Sequence, residues 1–146
     1  MMPKEETEKK AFDLFDGGFC CSEAISRTIV DRFAEHPEGY PVKVASGFCG
    51  GLGRTHEDVC GALTGGILAA GYLLGRTEPG GDIGEASRVI SEFRRRFLET
   101  FGSTNCAVLL QRLGEQEKGI QCKRMTAQAA GMLSDILEKT IGRREG

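Results

Sequence analysis

Apolar residues along this chain recur at spacings of three and four, and glycine or proline interrupts them at regular intervals. Residues 4 to 16 set Ala11, Phe12, Leu14 and Phe15 among charges, which predicts an amphipathic first helix closed by Gly17 and Gly18. Cys21, Ile25, Ile29 and Phe33 then repeat every four residues, an inward-facing stripe that puts Cys21 in the first turn of a second helix. His36-Pro37-Glu38-Gly39 ends this helix, because the residue before proline avoids helical backbone, and Pro41 opens a short turn through Ala45. Beyond Pro79-Gly80-Gly81, Asp82 and Glu85 form a capping box for a long helix in which Phe93, Phe97 and Phe101 fall four apart and face a core. Arg94, Arg95 and Arg96 lie close to Glu92 and Glu99 and read as its solvated face, and Gly102 closes it. Ser103-Thr104-Asn105 supplies an N-cap that places Cys106 in the first turn of the next helix. Gly119 precedes Cys122 in a similar way. The last helix is expected to run to about Thr140, with Met125, Ala129, Met132, Leu133, Ile136 and Leu137 inward and a fraying tail from Gly142 to Gly146.

The stretch from Ser46 to Gly75 departs from this pattern, and the rest of the chain is organised around it. Gly47, Gly50, Gly51 and Gly53 make a loop that can take up positive φ and bring backbone close to a neighbour. Thr55 with Asp58 three residues on reads as a capping box, so a helix is expected from near His56 with Cys60 in its second turn. Gly61, Gly65 and Gly66 each cost roughly 1 kcal/mol relative to alanine inside a helix, so close packing has to compensate. Small residues at 61, 65 and 69 leave a flat face against which a neighbouring helix, a bound group or a second subunit could sit, while Leu63, Ile67, Leu68, Leu73 and Leu74 face the other way. The mostly apolar run from 62 to 75 falls short of the ~20 residues that span a bilayer, so it is read as a buried core helix. The expected fold is all-α, one compact domain over residues 1–146 with about five to seven helices around this glycine-rich one.

Composition narrows the function. Net charge is −2 and no basic cluster is interleaved with aromatics, which argues against nucleic acid as a partner. Glycine, at 21 of 146 residues, is about twice its usual share, yet with four prolines it marks turns and close packing rather than a low-complexity tract. The beginning Met-Met-Pro-Lys-Glu-Glu lacks an apolar signal region, so a cytoplasmic location is expected. There, six cysteines point to metal binding or redox chemistry before structural disulfides. No CxxC pair and no CxxCH occurs, which removes thioredoxin-like motifs, zinc fingers and covalent haem attachment in their usual forms. His36 and His56 stand at an element boundary and beside a cap, without HxxxH or HxxE partners, and read as exposed histidines.

CGALTGG from Cys60, then FGSTNCAVL, then a cysteine opening the last helix: in this order and spacing the chain resembles the CGAxxG-motif family of redox-active proteins, the C_GCAxxG_C_C family, from about Phe12 to Leu137. The resemblance implies a small helical domain with four signature cysteines and a redox or iron-sulfur role, without an assigned reaction. The four carry over to Cys21, Cys60, Cys106 and Cys122. Cys20 stands where such proteins usually have a polar residue, and Cys49 interrupts what is usually a GFGGG-like loop. Both are read as small buried hydrophobes, and a bond between the neighbours Cys20 and Cys21 would be strained.

Independently of the family, Cys21, Cys106 and Cys122 fall in first helical turns and Cys60 just past one. Helix amino ends favour thiolates, which are both nucleophiles and metal ligands, so cysteine pKa values lowered from the usual ~8.5 are expected. Three classes of function follow. One is thiol–disulfide exchange with a disulfide substrate or redox partner. Another is an iron–sulfur or zinc centre on the same four cysteines, with Gly61 and Gly65 against the bound group. The third is a partner-binding helical module whose cysteines only pack. Widely spaced single cysteines suit a cage assembled by folding, whereas no local motif fixes a cluster type. A redox-active four-cysteine site is the expectation, with dithiol and metal both open, and it requires the four sulfurs to gather.

Overall fold

The computed structural model describes residues 3–145, with side chains to residue 142, and it is helical throughout. The α-helices are α1 (Lys4–Asp16), α2 (Cys21–Phe33), α3 (Gly61–Leu74), α4 (Gly84–Phe101), α5 (Cys106–Leu113) and α6 (Ile120–Glu145), with short 3-10 turns at Pro37–Gly39, Val42–Phe48 and Glu117–Gly119. Helix α3 packs chiefly along α2, and α6 along α1, while α4 closes over α3 and α6. Gly17 caps α1 and Gly102 ends α4 at φ 84°, a left-handed turn that favours glycine.

The flat face of α3 is used for helix packing. A Cβ on Gly65 would meet the Ser22 carbonyl and come within 2.6 Å of Ile25 Cγ2, and one on Gly66 would reach the Phe93 ring. Glycine is therefore what lets α2 and α4 approach α3 at contact distance, and the burial gained offsets the poor helix propensity. The core beyond is large and apolar: Phe93, Phe97, Leu133, Ile136 and Leu137 are all buried. Phe97 stands edge-to-face to Phe93 at 6.2 Å and to Phe101 at 4.7 Å. Arg95 and Arg96 pair with Glu99 and Glu92 on the outer face of α4.

Three boundaries differ from expectation. Helix α3 starts at Gly61, not near His56, because the intervening loop is left-handed at Gly50, Gly51, Leu52, Gly53, Arg54 and His56 and cannot continue a helix. Thr55 Oγ1 hydrogen-bonds Gly51 O at 2.7 Å, and Asp58 Oδ1 receives the Val59 N–H at 2.9 Å, so no capping box forms. Residues 58–60 pair instead with the entrance to α5: the Cys60 N–H donates to Thr104 O and the Cys106 N–H to Asp58 O. Second, α4 is preceded by Ile83 as N-cap, with Asp82 Oδ1 receiving the Gly84 N–H at 2.8 Å. Third, α6 continues past Thr140 to Glu145, so the tail expected to fray is helical from Gly142 to Glu145, and Gly146 lies outside the described residues. Among the described residues no helix is long and apolar enough to cross a membrane.

Candidate functional site

Four helices begin at one end of the molecule, and a cavity of about 340 Å³ lies between their amino ends. All six cysteines line it. Phe15, Leu109, Leu110 and Met125 give it an apolar wall, and Arg54 and His56 stand at its exposed rim.

Each of the four signature sulfurs is placed by a separate local device. Cys21 is the first residue of α2, and a Cβ at Gly61 would run into its sulfur, so α3 enters against Cys21 only because residue 61 is glycine. Cys60 is the N-cap of α3, its carbonyl receiving the Leu63 and Thr64 N–H groups at 3.0 and 3.1 Å. Cys106 opens α5, which is capped by Asn105 Oδ1 accepting from the Val108 N–H at 3.2 Å, and a Cβ at Gly51 would fall 2.7 Å from the Cys106 Cβ. Cys122, in the first turn of α6, is held at both ends by one side chain. Gln116 Oε1 receives the Cys122 N–H at 2.9 Å and Gln116 Nε2 donates to its sulfur at 3.2 Å. Gly61 therefore lines the cavity, whereas Gly65 faces α2 and does not.

Sequence reasoning passed over three residues here. His56 lies at the rim with Nδ1 3.7 Å from Cys106 Sγ, brought there by its left-handed backbone at φ 59°, which nothing in the sequence spacing announces. Cys20 and Cys49 form a disulfide with Cα atoms 5.7 Å apart, although 29 positions separate them in the sequence. They are therefore more than buried packing residues. The clue available was Cys49 itself, in a glycine-rich loop that must fold back over a helix start.

The thiols are less acidic than helix amino ends alone would make them. Burial pushes the Cys60 thiol up to about 12, helped by the neighbouring Cys21 and Cys106 thiols, and burial also raises Cys21 and Cys106. Backbone N–H groups of Gly50 and Ser22 oppose the rise at Cys21 but do not reverse it. The expectation of lowered values thus fails for these three, because desolvation outweighs the helix ends and the basic groups at the rim are exposed to water. Cys21 adds to the rise at both Cys60 and Cys106, and Cys106 adds to the rise at Cys60.

Their spread limits what they can hold. Among the described residues the one triad of metal-ligating side chains with donor atoms within 4.8 Å of one another is Cys20, Glu23 and Cys49. Two of those donors are tied up in the Cys20–Cys49 disulfide, and no three of the four signature sulfurs lie within 4.8 Å of one another. Thr126 backs the cavity wall, fully buried, and its hydroxyl has no hydrogen-bond partner in the protein.

An all-α fold that gathers its cysteines at the amino ends of its helices, around one cavity, belongs with redox-active cysteine proteins. The family described as "Putative redox-active protein (C_GCAxxG_C_C)" matches residues 19–136, and the chain belongs to it. No curated protein and no solved structure matches the chain.

Proposed function

We propose that the protein is a redox carrier or sensor in which Cys21, Cys60, Cys106 and Cys122 are the ligands of an iron–sulfur cluster. The observation that carries this reading is that four free thiols line one cavity of about 340 Å³ between helix amino ends. Such a cluster supplies reversible one-electron transfer at a potential set by its surroundings.

The protein's own residues supply those surroundings. Helix amino ends at Cys21, Cys60, Cys106 and Cys122 direct N–H groups toward anionic sulfur. Phe15, Leu109 and Met125 exclude water, and Gln116 fixes Cys122 with two hydrogen bonds. Burial makes metal-free Cys60 a weak nucleophile at neutral pH, since a thiol with a pKa of about 12 is almost wholly protonated. That weighs against Cys60 as the attacking sulfur of a dithiol enzyme, whereas a coordinated metal removes the proton outright. Anaerobic purification, followed by reconstitution with iron and sulfide, tests the reading. Visible absorption with stoichiometric iron and sulfide is expected; a colourless, iron-free protein with four titratable thiols overturns it.

A further inference from the structure

Cys20 and Cys49 stand outside the four-thiol set and share its wall. Their disulfide joins the residue before α2 to the start of the glycine loop. We propose that Cys20–Cys49 is a second redox site, one that exchanges with an incoming dithiol, with Cys20 the sulfur attacked and Cys49 the sulfur that leaves.

Access sets the direction. Cys20 is half-buried beside exposed Phe19, whereas Cys49 is 6% exposed and lies beneath the loop. A thiolate must approach along the S–S axis, and the Cys20 end is the more open to solvent. The Ser22 hydroxyl lies 3.3 Å from Cys20 Sγ and 3.6 Å from Cys49 Sγ, so it favours neither sulfur as leaving group, and access alone sets the direction.

The bond is not what holds this corner together. Ser22 Oγ donates to Ala45 O at 2.7 Å, Ser46 Oγ donates to Glu23 Oε2 at 2.6 Å, and Glu23 Oε1 receives the Cys20 N–H at 2.9 Å. With α2 also packed against α3 through Gly61 and Gly65, the segment stays in place when the sulfurs part. A disulfide that can open without unfolding its surroundings is fit for turnover.

In the reaction, one thiol of the dithiol loses its proton to solvent and attacks Cys20 Sγ. The Cys20–Cys49 bond breaks as the mixed disulfide forms, and Cys49 leaves as a thiolate and takes up a proton. The second thiol, also deprotonated, then attacks its own partner's sulfur in the mixed disulfide, closing the substrate disulfide and releasing Cys20, which is protonated in turn. Two electrons and two protons pass from the dithiol to the pair. This requires nothing of the signature thiols.

The test treats the full-length folded protein with graded dithiothreitol, quenches in acid, alkylates, and maps the modified peptides while helix content is followed by circular dichroism. Cys20 and Cys49 should become alkylatable together with helix content and any bound iron unchanged. In Cys49→Ser an aromatic disulfide reagent should modify Cys20 at least about tenfold faster than it modifies Cys49 in Cys20→Ser, reflecting access. Reduction only where helicity is lost, or equal reactivity in the two variants, overturns the proposal. If a variant fails to fold, the wild-type reduction decides alone. Because iron content is read separately, failure here and failure of the four-thiol reading are distinguishable.

Discussion

The two ends of this molecule solve opposite problems with the same helices. At the α4–α6 end, Phe93, Phe97, Leu133, Ile136 and Leu137 fill the space, and Gly66 exists to admit an aromatic ring. At the other end six cysteines meet Gly50, Gly61 and an apolar wall of Phe15, Leu109, Leu110 and Met125, and they leave a hollow of about 340 Å³. A chain that packs one end to contact distance has the means to pack the other, since replacing cysteine by leucine would suffice. On the proposed function, the filled end supplies stability and the hollow end chemistry.

The largest effect that would break this division is expected at the filled end. Phe93→Ala should cost about 3–5 kcal/mol in urea unfolding, whereas Cys60→Ser should cost no more than about 1–3 kcal/mol while abolishing the metal centre. Comparable losses of stability from both would show that the two ends are not specialised.

Alkali should separate them next. Because burial raises the Cys60 thiol from 9.0 to about 12, the folded metal-free protein keeps a proton there that the unfolded chain gives up. The stabilising difference is fully present below pH 9 and disappears as the pH rises toward 12. The slope is about 1.4 kcal/mol per pH unit within that window, so urea midpoints at pH 8 and 10.5 should fall further in the wild type than in Cys60→Ser. Equal falls would mean the thiol is not held neutral by burial.

Glycine placement offers a finer contrast. Gly65→Ala pushes a methyl into the Ser22 backbone and should cost about 1–3 kcal/mol, measured by thermal unfolding, without touching the cavity wall. Gly61→Ala meets the Cys21 sulfur and should lower metal occupancy more than stability. The smallest effect is expected at Gln116→Leu. Loss of its two half-exposed bonds to Cys122 should cost about 0.5–1.5 kcal/mol in all and loosen the site without emptying it, read as weaker metal retention against a chelator.

Much of the filled end was legible in the sequence because its signal is periodic: Phe93, Phe97 and Phe101, or Ala129, Leu133 and Ile136, state their own face. The cysteine end was legible only where it coincides with helix starts, as at Cys21 and Cys106. The start of α3 was not, because Thr55 and Asp58 imitate a capping box while the left-handed backbone at Leu52, Arg54 and His56 redirects the chain. The Cys20–Cys49 bond and the approach of His56 to Cys106 depend on that same loop, and so on long-range pairing with α5 that no local pattern encodes.

The central claim is that four sulfurs act as one centre and the other two do not belong to it. Iron and sulfide per chain, measured after identical anaerobic reconstitution of the wild type, the four single serine variants at Cys21, Cys60, Cys106 and Cys122, and the Cys20→Ser/Cys49→Ser double variant, tests it most directly. Loss of the cluster in each of the four, with wild-type content in the double variant, is the expected result. Retention in any of the four, or loss in the double variant, would contradict it.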